Sequence, residues 1–180
     1  MRAIIRKITY AVCLTGVFVL FSGVGCRVSY TLSGASIHED VKTVSIPFFP
    51  NSSSYVSPTL STMLTDALRE KFSNQTKLEL ITNGVDEGDM AFTGEITGTS
   101  TIPTAVTAAE EFAASQMRLT VRVRVNFVNN IQPEYNFQRD FTQYSDYPSS
   151  QTLQAAEGEH LPIIVKALAD DIFNAAVQNW

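Results

Sequence analysis

From Met117 to Val128 the chain reads MRLTVRVRVNFV and alternates almost without fault. Met117, Leu119, Val121, Val123, Val125 and Phe127 point one way; Arg118, Thr120, Arg122, Arg124 and Asn126 point the other. A period of two with one apolar face predicts a half-buried strand. At about 3.4 Å per residue it is a long one, near 40 Å. Its apolar face needs a cover, and its two edges need partners.

The rest of the pattern supplies both. Val41 to Phe49 predicts a first strand, with Val44, Ile46 and Phe48 on one face and Pro47 at an edge or bulge. Ser57-Pro58 opens a helix, serine as cap and proline in the first turn. Leu60, Met63, Leu64, Ala67, Leu68 and Phe72 form its apolar stripe. Lys77 to Thr82 is a short strand. Met90 to Ile102 is a second long one, with Met90, Phe92, Gly94, Ile96, Gly98 and Ile102 inward. Gly94 and Gly98 leave gaps where a helix can approach. Pro103 to Gln116 is longer than a hairpin loop of roughly two to five residues, with room for a short helix around Ala108 to Ala114. Tyr135 to Tyr144 is the last strand. There Arg139 falls on the face of Phe137 and Phe141, which predicts a bulge or strand end nearby. Ser145 to Gly158 is polar loop, and Leu161 to Trp180 a second amphipathic helix with Pro162 in its first turn.

These elements predict an α+β two-layer sandwich. Two helices pack on one face of a mixed, mostly antiparallel four- to five-stranded sheet, and the other face stays open and polar. The first two strands, if parallel, are joined through the first helix by a right-handed crossover.

The first residues follow another pattern. Arg2, Arg6 and Lys7 precede an apolar run, Ala11 to Phe21, and then Ser22, Gly23, Val24 and Gly25. This is the layout of an export signal over 1–25. The run is short for a spanning helix of about 20 residues, although extension back to Ile8 keeps a signal anchor as the alternative. Cys26 follows directly, as in a bacterial lipoprotein cleavage site, although Gly23 stands where a larger aliphatic is usual. The competing reading is an ordinary secretory signal with an incidental cysteine. On the lipoprotein reading Cys26 carries lipid, 26–40 is a tether rich in serine, and 41–180 is the folded domain.

Composition narrows the function. The chain is 44% hydrophobic and 17% charged, with a formal charge of −5. That is a globular composition, and an acidic one, which argues against nucleic acid as a partner. Loss of Arg2, Arg6 and Lys7 with the signal makes it more acidic still. Attachment to an anionic membrane would then come through the N-terminal lipid and not through charge. Cys13 leaves with the signal, so no cysteine remains for a disulfide, a thiolate nucleophile or a zinc site. His38 in the tether and His160 at a helix start are isolated. Asp170-Asp171 and Glu110-Glu111 are adjacent pairs, which do not face each other on a helix. With no phosphate-cradling loop, HExxH or GxSxG, neither a catalytic site, a metal nor a cofactor is expected. Arg118, Arg122 and Arg124 are the remaining constellation. One reading is a solvated face, its arginines paired to Glu95 and neighbouring threonines. The other is a strip that binds phosphates or carboxylates.

Several stretches together resemble one family: YTLSGASI from Tyr30, KTVSIPFFPN from Lys42, PTLS and LREKF in the first helix. FTGEITG from Phe92, RLTVRVRVNF from Arg118 and the terminal DDIFNAAVQNW complete the set. In this order they are similar to the LPS-assembly lipoprotein family LptE, in its Bacteroidetes-type form, across the mature chain. The resemblance implies two helices on a mostly four-stranded sheet and an outer-membrane lipoprotein facing the periplasm. It also implies a protein that plugs and helps assemble the LptD β-barrel and binds lipopolysaccharide, with no catalytic residues. The assignment of Arg118, Arg122 and Arg124 to lipopolysaccharide rests on the residues alone. Two other lipoprotein roles compete: activator of a periplasmic cell-wall synthase, since strand–Phe-Pro-Asn–helix openings occur there too, and pilotin-like chaperone of a secretin.

Overall fold

A five-stranded sheet runs in the order β2-β1-β3-β4-β5. The computed structural model describes residues 37–54, 57–82, 87–104 and 116–177, all within the compact unit Ser33–Trp180. The expected export signal, Cys26, most of the expected tether, the short helix expected around Ala108 to Ala114, and Trp180 lie outside the described residues. The strands are β1 (Thr43–Ser45), β2 (Glu79–Ile81), β3 (Met90–Thr104), β4 (Gln116–Asn129) and β5 (Phe137–Pro148). The helices are α1 (Leu60–Gln75) and α2 (Leu153–Val177). β1 is parallel to both β2 and β3, while β3, β4 and β5 are antiparallel. The mixed sheet under two helices is the α+β sandwich that the pattern calls for.

β4 is the centre of it. Leu119, Val121, Val123, Val125 and Phe127 are fully buried beneath the helices. Leu60, Leu64, Leu68 and Phe72 of α1 and Ile164, Leu168, Ile172 and Phe173 of α2 meet them. A relay of rings crosses the layers. Phe173 meets Phe72 at 4.9 Å, Phe72 meets Phe92 at 5.0 Å, and Phe92 meets Phe127 at 4.8 Å, all tilted or edge-on as ring quadrupoles prefer.

Four local expectations change. β1 stops at Ser45, inside the sheet, because Pro47 has no N–H to continue a ladder. The alternation breaks there: Phe48 is 57% exposed and Phe49 is the buried ring. The Phe49 N–H donates to Thr65 Oγ1 (3.1 Å), and the chain rejoins β3 through an Asn51–Ile96 bridge. It is therefore Phe49, not a helix, that fills the gap over Gly94.

The register of β3 against β4 shifts between Ile96 and Gly98. This bulge at Thr97 turns over every later residue. Gly98 and Ile102 pair with Arg122 and Arg118 on the open face, Ile102 is 53% exposed, and Thr99 and Thr101 take the inner positions opposite Val121 and Leu119.

β5 carries no bulge at Arg139, and the strand end expected nearby is at Phe137, two residues earlier. Arg139 sits opposite Val125. As β5 is an edge strand, its side chain reaches solvent past the core, with the guanidinium 5.2 Å from the Phe137 ring.

Each helix starts away from the expected place. α1 begins at Leu60, after a turn at Ser57–Thr59, and Ser57 does not cap it. α2 begins at Leu153, so Gly158 and His160 are helical and Pro162 lies inside. Burial of Ala156 and Leu161, and His160 held 2.7 Å from Ser145 Oγ beside the Tyr147 ring, carry the helix through both breakers. His160 is thus not isolated but a half-buried link to β5.

Candidate functional site on the open face of the sheet

The bulge and the register decide what stands on the face away from the helices. Across the three long strands the open face has successive rows. Ile102–Arg118–Asp146 and Ser100–Thr120–Tyr144 come first, then Gly98–Arg122–Thr142 and Glu95–Arg124–Asp140. The three arginines therefore do share one face of β4, as alternation requires.

Their surroundings differ sharply. Arg118 forms a fork with Asp146, Nε to Oδ1 at 2.7 Å and Nη2 to Oδ2 at 2.8 Å. Its guanidinium lies 3.8 Å from the centroid of the Tyr144 ring. Those hydrogen bonds hold the Asp146 carboxyl below the usual carboxylate range and raise Arg118. Arg124 Nε donates to Asp140 Oδ1 at 3.0 Å, with both side chains about half-exposed. Arg122 is exposed and, among the described residues, makes no salt bridge. The expected partner Glu95 accepts instead from Ser52 Oγ at 2.7 Å. The carboxylates that answer Arg118 and Arg124 come from β5, and a strand-by-strand reading passes over them. A signal for them exists: Arg118 and Arg124 are as far apart as Asp140 and Asp146, in reversed order, as two antiparallel strands require.

On the other side, α1 and α2 enclose a groove of about 570 Å³ floored by Met63, Ala67, Val165 and Ala169. Lys71 closes onto Asp170 there at 2.5 Å. His38 remains exposed beside Asp40, 3.4 Å away. Among the described residues no cluster of His, Cys, Asp and Glu is arranged to hold a metal, and no helix is long and apolar enough to cross a membrane. The lipidation candidate Cys26 lies outside them.

Comparison with known proteins adds to this geometry. The family model for lipopolysaccharide-assembly, LptE, matches residues 41–176. No curated protein matches the chain. Among solved structures, one similar to it is a minor lipoprotein from Acinetobacter baumannii, at 14% identity and TM-score 0.45, covering 74% of this chain and 91% of that one. Another is the rare lipoprotein B from Shewanella oneidensis, at 13% identity and TM-score 0.40, covering 76% and 92%. A putative neuraminyllactose-binding hemagglutinin homolog from Helicobacter pylori aligns at 7% identity and TM-score 0.50, covering 75% and 85%, a likeness of fold alone.

Proposed function

The chain belongs to the lipopolysaccharide-assembly LptE family, and from that premise we propose a lipid-anchored outer-membrane protein that plugs and helps assemble an LptD-like β-barrel. It faces the periplasm, holds its membrane through the lipid on Cys26, and binds lipopolysaccharide as this passes to the outer leaflet. Its part in that assembly is non-enzymatic: it shapes a barrel and holds a ligand.

The observation that carries the reading is the family match over 41–176, which spans both helices and all five strands to within a residue of the end of α2. The open face adds chemical support. On the sheet face that bears Arg118, Arg122 and Arg124 among threonines, Arg122 offers hydrogen-bond donors to a phosphate, while the opposite face is consumed by the core.

The test is what accompanies the full-length protein out of the membrane in mild detergent. Recovery of an outer-membrane β-barrel together with lipopolysaccharide is the expected result. Recovery of a cell-wall synthase or a secretin in place of the barrel would overturn the reading. Depletion of the protein should also lower the amount of correctly assembled barrel; unchanged barrel levels and unchanged surface lipopolysaccharide would count against it.

A further inference from the structure

We propose that the open face is built to take one anionic group, at Arg122, and that Arg118 and Arg124 are held out of ligand binding by Asp146 and Asp140. The ligand group is a phosphate or sugar-acid carboxylate on the lipopolysaccharide head group. The proposal rests on the function argued above for the identity of that ligand and narrows where it binds.

Three observations carry it. First, the flanking cations are cancelled within the sheet. Arg118 gives two donors to both oxygens of Asp146 and lays its plane against Tyr144, and Arg124 gives Nε to Asp140. An anion approaching either one meets a carboxylate beside it. Second, Arg122 is exposed and, among the described residues, without a carboxylate within salt-bridge distance. Its planar fork is free for the bidentate contact that phosphate and carboxylate favour.

Third, the bulge at Thr97 sets Gly98 opposite Arg122, so the β3 side of it carries only the small Thr97 side chain, whose hydroxyl donates to the Arg122 carbonyl at 3.4 Å. Its partner on β5 is the short Thr142. Ser100 and Thr120 lie one row further along, about 7 Å away. The result is a lane across the sheet with, among the described residues, one cation free of a carboxylate partner at its centre and hydroxyls along its floor. The Arg118–Tyr144 stack bounds it on one side and the Arg124–Asp140 pair on the other.

This arrangement suits a transit site. A row of three free arginines would hold a multiply charged head group strongly and release it slowly. A single contact, with carboxylates on either side to repel a second anion, allows capture and onward release.

The experiment uses full-length protein in detergent and competition with purified lipopolysaccharide at low salt. Arg122→Gln should weaken binding by about tenfold, the scale of one hydrogen-bonded charge contact. The charge-neutral double variants Arg118→Gln with Asp146→Asn, and Arg124→Gln with Asp140→Asn, should stay within about twofold. Asp140→Asn alone should tighten binding, because it releases Arg124. Thermal unfolding of each variant shows that the fold is retained.

Arg122→Gln at parental affinity, or a double variant that loses as much as Arg122→Gln, overturns the proposal. Phosphatidylglycerol vesicles and inorganic phosphate are the comparison probes. If Arg122→Gln weakens these as much as it weakens lipopolysaccharide, the site is a general anion site and the assignment of the ligand fails. Parent protein that binds no lipopolysaccharide overturns both this proposal and the ligand half of the proposed function. Parent protein that binds it, with Arg122→Gln unaffected, overturns this proposal alone.

Discussion

The ring of Phe49 lies over Gly94: a Cβ at position 94 would meet the Arg124 carbonyl oxygen on β4 first and would lie 2.6 Å from Phe49 Cε1. Phe49 is fully buried and is tied to α1 through Thr65, so it has little room to move aside. The glycine at 94 therefore leaves room both for the β4 backbone at Arg124 and for the Phe49 ring of the β1–α1 connection. Gly94→Ala should destabilise the domain by about 1–3 kcal/mol, the usual cost of overpacking. Chemical denaturation would measure it. The double variant with Phe49→Leu should recover part of the loss, and a lack of any recovery would mean that the ring is not the obstacle.

Val123 lies at the middle of β4 with none of its surface exposed. Val123→Asp places a charge under both helices with no partner. That costs several kcal/mol against a total stability of about 5–15 kcal/mol. Loss of the cooperative thermal transition is expected; a transition near that of the parent would contradict the burial of this face.

Asp89 ties the start of β3 to β1. Its Oδ2 accepts the N–H of Lys42 (2.7 Å), the N–H of Thr43 (3.0 Å) and the Thr43 hydroxyl (3.0 Å). These bonds, the one from Lys42 foremost, hold its carboxyl below the usual carboxylate range. With the folded pKa below the unfolded one, the stabilisation is fully present above about pH 4. It is lost as the pH falls through the folded value. Asp89→Asn should be less stable than the parent at pH 7, and the gap should close in acid. Urea midpoints at several pH values would show this, and a gap that does not change with pH would rule out the carboxylate as its source.

Gly158 lies in the interior of α2, and a Cβ there would meet nothing within 4 Å. Gly158→Ala should raise stability by roughly 0.5–1 kcal/mol, since the unfolded chain loses freedom and the helix loses nothing. A lower melting temperature would mean that this stretch is not helical in solution.

Cys26→Ala should move the protein from the outer-membrane fraction to the soluble periplasm, because the proposed anchor is the lipid on that sulfur. Fractionation with a high-salt wash checks this. A variant that stays with the membrane when the proposed barrel partner is also absent would show that something other than lipid holds it.

Much of this molecule was legible in the residues by themselves. The period of two in Met117 to Val128 marked the central strand and both of its faces, because a strand places successive side chains on opposite sides whatever surrounds it. Leu60, Leu64, Leu68 and Phe72 marked the buried stripe of α1 by the same kind of local rule. The ordered set of segments pointed to the family before any geometry was known.

Tertiary structure decided the rest, in each case where distant segments meet. The bulge at Thr97 sent Ile102 outward, and it exists only in the register of β3 against β4. Leu153 to Pro162 is helical despite Gly158 and Pro162 because Tyr147, Ser145 and the core hold it, so packing outweighed local propensity. Phe49 rather than Phe48 turned inward because Pro47 ended the ladder and Gly94 left a space. Asp140 and Asp146 became the partners of Arg124 and Arg118 only once β5 lay antiparallel to β4. Periodicity is a property of one segment and can be read from it; register, and with it the charge that each arginine presents on the open face, belongs to pairs of segments and appears only when they are brought together.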